Sequence, residues 1–172
     1  MTEAQPAEAE NRYQVVVYDL DSTVCDTRHR HEFADKVKAG EATWEEYSLQ
    51  CVDDKPYPGA IKLMQITDRL YRNYILTGRD IVAWDHTVKW LKQEKAPWHM
   101  MRMRTPEDPY PSVEYKVKAM LELRDHGADV VLVIEDWPPI VDALEAEGFT
   151  VLCVNPRYEE DNPESDKPSF GV

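Results

Sequence analysis

The chain has 172 residues, 42% of them hydrophobic, and a formal net charge of −13. That length supports one compact domain, or one domain with a small insertion, while the acidity argues against general binding of long nucleic acid, which depends on cationic phosphate contacts. No apolar run approaches the roughly 18 residues of a membrane span. Met1-Thr2-Glu3-Ala4-Gln5-Pro6 also lacks the basic start of a signal peptide. Cys25, Cys51 and Cys153 are scattered, with no paired spacing, so a reduced, cytoplasmic protein without structural zinc is expected. Residues 1–10 and 157–172 each carry a charge of −3, which leaves −7 for the remainder. We read 1–12 and 157–172 as disordered acidic tails and 13–156 as the folded domain.

The first predicted strand, Gln14–Leu20, is a β-branched run that leads into Asp19-Leu20-Asp21-Ser22-Thr23. Residues two apart on a strand share a side. Asp19 and Asp21 are therefore expected together at a carboxyl strand end, where open α/β sheets place their ligand crevice. Two carboxylates there repel, which raises one proton affinity or demands a cation. A hard, oxygen-preferring ion such as Mg²⁺ meets that demand. A plainer role for the same residues is an Asx turn and a helix cap.

About 35 residues then separate this strand from the next apolar helix, too many for a plain connection. Within them His29–Ala39 has a helical pattern, and Thr43-Trp44-Glu45-Glu46 reads as a capping box opening a second helix. A small helical cap over about 25–57, set above the Asp19/Asp21 end of the sheet, is the expectation. After Pro58-Gly59, the residues Ile61, Leu63, Met64, Ile66 and Leu70 mark a helix. Strand Asn73–Thr77 runs into Thr77-Gly78-Arg79: a hydroxyl, a free backbone amide and a guanidinium, a set able to hold a phosphoryl group.

Ile81, Trp84, Val88 and Leu91 predict the next helix, followed by strand Trp98–Met103. Val113, Val117, Met120 and Leu121 follow an expected Ser112 cap, with the cation of Lys116 early in that helix. Strand Val130–Ile134 ends in Glu135-Asp136, Pro138-Pro139 opens a helix carrying Ile140, Val141 and Leu144, and Thr150–Val154 is the last strand. Alternating strands and helices of this kind predict an α/β, three-layer, Rossmann-like parallel sheet covered on both faces. Taken singly, Thr77-Gly78 suits a turn, Lys116 a solvated charge and Glu135-Asp136 an acid pair favoured by a helix dipole. Their order, each at a strand end or helix start, points to one site.

That order, Asp-x-Asp-x-Thr, Thr-Gly-Arg, Lys, Glu-Asp, resembles the haloacid dehalogenase superfamily of phosphohydrolases from about Val15 to Asn155. The resemblance implies a dehalogenase-like fold and Mg²⁺-dependent hydrolysis of a phosphomonoester. It makes Asp19 the nucleophile that forms an aspartyl-phosphate, and Asp21 the acid and then the base. Thr77, with Gly78, Arg79, Ser22 and Thr23 around it, would bind phosphoryl oxygens, and Lys116 would neutralise charge. Asp136 would hold Mg²⁺ with Asp19 and the backbone carbonyl of Asp21, with Glu135 as the alternative ligand. Two departures stand out. The family's usual glycine after the second aspartate is Ser22, tolerable only if that position keeps φ < 0. Glu135-Asp136 also replaces the commoner Asp-Asp or Gly-Asp.

A finer resemblance is to the phosphatase domains of phage-type polynucleotide kinases. It rests on Asp19–Thr23, Asp26-Thr27-Arg28-His29-Arg30, Cys51-Val52-Asp53-Asp54-Lys55-Pro56, Thr77-Gly78-Arg79, Met101-Arg102-Met103-Arg104 and Glu135-Asp136-Trp137-Pro138-Pro139-Ile140-Val141. It implies removal of phosphate from nucleotides or short nucleic-acid ends, typically 3′ ends. No Gly-x-x-x-x-Gly-Lys-Ser/Thr loop is present for a kinase activity. Arg28 and Arg30 are candidates to grip further phosphate oxygens. Trp44 and Tyr47 are candidates to stack on a base, and their helical spacing equally suits packing. A 5′(3′)-nucleotidase acting on mononucleotides is the close rival, because the acidity favours a small substrate. A non-catalytic binding protein on the same scaffold is the rival of another class. A receiver-type signalling domain fits poorly, since the third major strand, Trp98–Arg104, ends without an acceptor aspartate.

Overall fold

Val15, Val16, Val17 and Tyr18 are all buried, and alternate residues enter different cores. Strand β1 (Tyr13–Tyr18) is thus covered on both faces, as a central parallel strand must be. The computed structural model of the chain describes residues 13–154; the two expected tails, and Asn155 and Pro156 at the domain edge, lie outside the described residues. Besides β1, the main sheet holds β4 (Arg72–Asp80), β5 (Met100–Arg104), β6 (Ala128–Glu135) and β7 (Val151–Cys153). The order is β5-β4-β1-β6-β7, parallel throughout.

Helices α3 (Pro58–Thr67) and α4 (Trp84–Gln93) cover one face, where Ile61, Met64, Trp90 and Leu91 meet Val16, Tyr18 and Ile75. Helices α5 (Ser112–Asp125) and α6 (Pro138–Ala146) cover the other, with Tyr115, Ala119, Met120, Ile140 and Leu144 against Val15, Val17 and Val133. Burying a side chain of valine size or larger contributes roughly 1.5–3 kcal/mol, so β1 is anchored from both sides. The three-layer α/β fold expected from the alternating pattern is the one observed. β1 lies between β4 and β6, where the strand order reverses, so its carboxyl end opens into the crevice of such sheets.

The segment between β1 and α3 contains β2 (Cys25–Asp26), a 3₁₀ turn at 28–30, α1 (His31–Lys38), α2 (Trp44–Leu49), a second 3₁₀ turn at 50–53, and β3 (Lys55–Pro56). β2 and β3 pair antiparallel and close the base of this helical insertion. The capping box on α2 is present: Glu46 N–H donates to Thr43 Oγ1 at 3.2 Å, and Thr43 N–H donates to Glu46 Oε2 at 2.9 Å. Pro58 and Pro138 open their helices as expected.

Two local expectations are corrected. Ser112 is the first residue of α5 rather than its cap; Pro111 precedes it, and no side chain caps the helix. A residue already within the helical turn has lost the extended backbone from which a hydroxyl reaches the N2 or N3 amide. Leu70 lies beyond α3 and is 75% exposed. The Thr67 hydroxyl lies within hydrogen-bond distance of Leu63 O, Met64 O and Asn73 Oδ1 and donates its one proton to one of these three, which fixes the helix end before Leu70. No helix among the described residues is long and apolar enough to cross a membrane.

Candidate active site

β1 delivers Asp19 to the carboxyl edge, and Asp19 N–H extends the ladder by donating to Ile134 O at 3.0 Å. The chain then turns sharply. Leu20 O accepts from the amides of Thr23, Val24 and Cys25, and Ser22 N–H donates to Cys25 O. Ser22 adopts φ +70°, which overturns the expectation of a negative φ. The turn requires this left-handed residue, and its Oγ is held by Thr27 Oγ1 at 2.8 Å. Conformations of this kind cost of order 1–3 kcal/mol and persist where the surroundings fix them.

Lys116, buried on the first turns of α5, donates to Asp19 Oδ1 at 2.6 Å, Leu76 O at 2.8 Å and Glu135 Oε2 at 3.0 Å. Burial alone would lower its ammonium, but Asp19 and Glu135 outweigh that and hold it well above the usual lysine range. Burial pushes the Asp19 carboxyl up to about 7; Lys116 opposes the rise, while Glu135 and Asp21 add to it. Thr23 Oγ1 lies between Asp19 Oδ2 at 3.0 Å and Asp136 Oδ1 at 3.1 Å. Asp19, Glu135 and Asp136 each offer an oxygen, all within 4.8 Å of one another. This all-oxygen donor set suits a hard divalent cation such as Mg²⁺. Glu135 is occupied on both oxygens, by Lys116 on Oε2 and by the amides of Asp136 and Trp137 on Oε1.

Asp21 has different neighbours. Its Oδ1 accepts from Arg30 Nη2 at 2.6 Å and from Arg79 Nε and Nη2 at 2.8 and 2.6 Å. Both arginines also donate to Asp54, whose Oδ1 meets Arg30 Nε and His29 Nε2 and whose Oδ2 meets Arg30 Nη2 and Arg79 Nη2. Arg30, Arg79 and Asp54 are buried. Burial works against the Arg79 charge, and Asp21 and Asp54 are among the groups that more than restore it. The sequence reading had Asp21 crowded chiefly by carboxylates. The structure sets two guanidiniums on it instead, because Asp54 anchors both.

The cavity at this edge is lined by Asp19, Asp21, Gly78, Lys116, Asp136 and Trp137. Thr77 lies beneath, fully buried, where its Oγ1 accepts from Arg79 N–H at 3.2 Å. Arg28 sits apart: its guanidinium is 76% exposed and pairs with Asp26. Tyr47 is buried, lies under the Arg30 guanidinium at 4.5 Å and meets Trp44 edge-to-face. Trp44 is half-buried and lines a neighbouring groove instead.

Sequence reasoning passed over Asp54, although it quoted the segment that holds it. A second acidic residue late in the insertion was the available signal, since buried arginines require partners. It also missed Ser112 and Trp137 as cavity residues; Ser112 Oγ and Trp137 Nε1 are buried without hydrogen-bond partners.

No protein-family model matches the chain. No curated protein matches it in sequence either. Solved structures do. A chain of the Pnkp1/Rnl/Hen1 RNA repair complex aligns with a TM-score of 0.69 at 17% identity, covering 84% of this chain and 43% of that one. The Class C acid phosphatase from Bacillus anthracis aligns at 0.60 with 22% identity, covering 86% and 69%. The HAD-hydrolase YfnB from Bacillus subtilis, solved bound to magnesium, aligns at 0.54 with 15% identity, covering 87% and 91%. The fold is haloacid dehalogenase-like. Within this dehalogenase-like fold the present chain spans less than half the length of the repair-complex chains.

The arginine cluster makes a stability prediction. Removing one partner of a buried ion pair costs roughly 3–5 kcal/mol. Asp54→Ala should therefore lower the melting temperature by roughly 6–20 °C, and Asp54→Asn by less, since the amide keeps some of the arginine contacts. Equal, small shifts in both variants would show that the cluster is not held by the Asp54 charge.

Proposed function

We propose that the protein is a Mg²⁺-dependent phosphomonoesterase working through an aspartyl-phosphate on Asp19. The observation that carries this reading is Asp19 itself. It is buried at the carboxyl edge, bonded to Lys116, and set within reach of Asp136 and Glu135. A buried carboxylate beside a cation makes a nucleophile for a phosphoryl group, because the ammonium draws in the dianion.

In this reading an Asp19 oxygen forms a bond to phosphorus as the bond from phosphorus to the leaving oxygen breaks. Asp21 gives that oxygen its proton. A water then loses a proton to Asp21 and attacks phosphorus, which breaks the phosphorus–Asp19 bond and frees inorganic phosphate. Phosphoryl transfer needs chiefly positioning and charge neutralisation. Lys116, the Gly78 amide and the Thr77 hydroxyl are assigned to the phosphoryl oxygens, and Arg79 to fixing Asp21. Asp19 and Asp136 would hold Mg²⁺, with the backbone carbonyl of Asp21. Glu135, whose two oxygens already serve Lys116 and two backbone amides, is assigned to aiming the lysine. The bound ion supplies charge neutralisation at the phosphoryl oxygens.

A nucleotide or the 3′ end of a short nucleic acid is the proposed substrate. The resemblance in the Asp26–Arg30 and Cys51–Pro56 segments supports it, as does likeness of fold to a chain of an RNA repair complex.

The test is phosphate release, with and without Mg²⁺, from 3′- and 5′-mononucleotides, a 3′-phosphorylated oligonucleotide and p-nitrophenyl phosphate. Release should require Mg²⁺ and vanish in Asp19→Asn. Asp21→Asn should lower kcat by about 10²–10⁴, the usual weight of general acid–base catalysis, and less on p-nitrophenyl phosphate, whose leaving group needs little help from a proton. Retained activity in Asp19→Asn would sink the aspartyl-phosphate. In thermal melts, Mg²⁺ at about a hundred times its Kd should stabilise the wild type by about 2.7 kcal/mol, roughly 5–10 °C. Asp19→Asn should lose most of that shift. In metal-free buffer it should melt no lower than the wild type, because it removes one of three crowded carboxylates.

A further inference from the structure

Helices α5 and α6 leave an open groove between them, with a volume of about 520 Å³. None of the residues lining it lines the active-site cavity. One wall is a row of aliphatic side chains on α5, Val113, Val117 and Leu121, set at every fourth residue and each half-buried. They pack against the core from one side, so the rest of their apolar surface faces the groove. The other wall is Ala143 and Ala146 of α6, whose small side chains leave the row uncovered. Apolar surface half-covered in this way gains free energy when a partner removes it from water.

The rim of the groove is acidic. Glu114, Asp125 and Glu147 are exposed, and among the described residues none of them forms an ion pair. Glu122 is a fourth carboxylate, paired with Arg102 at 2.6 Å. Lys118 is the one cation among the lining residues; its Nζ donates to the Tyr110 hydroxyl at 2.9 Å and lies 4.0 Å from Glu122. Arg124 is engaged elsewhere, by the Phe149 ring and Glu147 O.

Charge decides what fills such a groove. The ends of the chain, residues 1–10 and 157–172, carry −3 each, and a second copy carries −13, so each of these brings like charge to the rim. The row from Val113 to Leu121 extends about 12 Å, two turns of helix. An apolar row of that length flanked by acids is complementary to a helix with its own apolar stripe and cations beside it.

We propose that the α5–α6 groove is a docking site for a cationic amphipathic helix of a partner protein. Apolar residues at i, i+4 and i+7 of that helix pack on Val113, Val117 and Leu121 and fill the space over Ala143 and Ala146. Its lysines or arginines face Glu114 and Asp125, near the two ends of the row, and Glu147 across it. A partner held here recruits the protein and leaves the active-site cavity open.

The probe is a labelled synthetic helical peptide with leucine at i, i+4, i+7 and i+11 and lysine at the flanking positions. It is titrated into the full chain and followed by fluorescence anisotropy. Two control peptides keep its length: one has glutamate for every lysine, and the other keeps the lysines but scatters the leucines around the helix. The cationic amphipathic peptide should bind at least about tenfold tighter than either control. Raising NaCl from about 50 mM to about 500 mM should weaken it severalfold, as the rim charges become screened. Val117→Gln should weaken it at least about tenfold, and so should Glu114→Lys combined with Asp125→Lys. If Val117→Gln fails to fold, the double charge reversal carries the test, because both of its side chains are exposed. Amide NMR shifts caused by the peptide should gather on α5 and α6. Absence of binding, equal binding of the three peptides, unchanged binding in the variants, or shifts centred on the active-site edge would each overturn the proposal. A dimer in sedimentation that is lost in Val117→Gln would overturn it in favour of a second copy. Phosphate release enters none of these readouts, so the outcome is independent of the phosphatase reading.

Discussion

Three carboxylates, Asp19, Glu135 and Asp136, are buried at one sheet edge, and among the described residues one ammonium, that of Lys116, pairs with the first two. The rest of the site follows from that imbalance. Like charges brought out of water repel strongly, so each must be held by a donor or by a cation. Asp19 is held by Lys116, Glu135 by Lys116 and two backbone amides, and the one proton of the Thr23 hydroxyl serves Asp19 or Asp136. Among the described residues these carboxylates outnumber the ammonium, and their oxygens gather where a hard cation with oxygen ligands fits. Burial that pushes the Asp19 carboxyl up to about 7 is the other face of the same imbalance.

Asp21 escapes it by belonging to a different electrostatic unit. Two residues beyond Asp19, its oxygen turns to Arg30 and Arg79, which share Asp54 on their far side. Two carboxylates against two guanidiniums form a balanced set, so neighbouring aspartates acquire opposite circumstances. One faces a surplus of carboxylate and the other is clamped by arginine. That difference arises from which side chains each strand end brings in.

Elements whose pattern is local were legible from the sequence. The β-branched run of β1, the Thr43–Glu46 capping box and the prolines opening α3 and α6 act within a few residues of themselves, so their spacing reveals them. What eluded the sequence is contact between distant segments. Asp54 sits 25 positions from Arg79 and becomes an anchor only once β2 and β3 pair. Arg30 looked like an exposed phosphate grip, and burial against Asp54 and Tyr47 makes it part of the frame. Ser22 shows the same limit at short range. Its hydroxyl bond to Thr27 and the amides gathered on Leu20 O fix a left-handed turn that residue type alone argues against.

The helical insertion and the catalytic edge are consequently one mechanical object. Arg30 and Asp54 belong to the insertion, Asp21 to the end of β1 and Arg79 to β4, yet they are bonded through four ion pairs. Moving the insertion as a rigid flap would break buried pairs, each among the more expensive contacts in a protein. Motion is therefore confined to parts outside that knot. α2 carries Trp44 on its half-buried face, and the turn after β5 carries Thr105. Arg30 Nη1 has no hydrogen-bond partner, whereas every donor group of Arg79 is engaged by Asp21, Asp54, Cys25 or Thr87. Neither guanidinium lines the cavity, so both hold the frame beside which a phosphate would be placed.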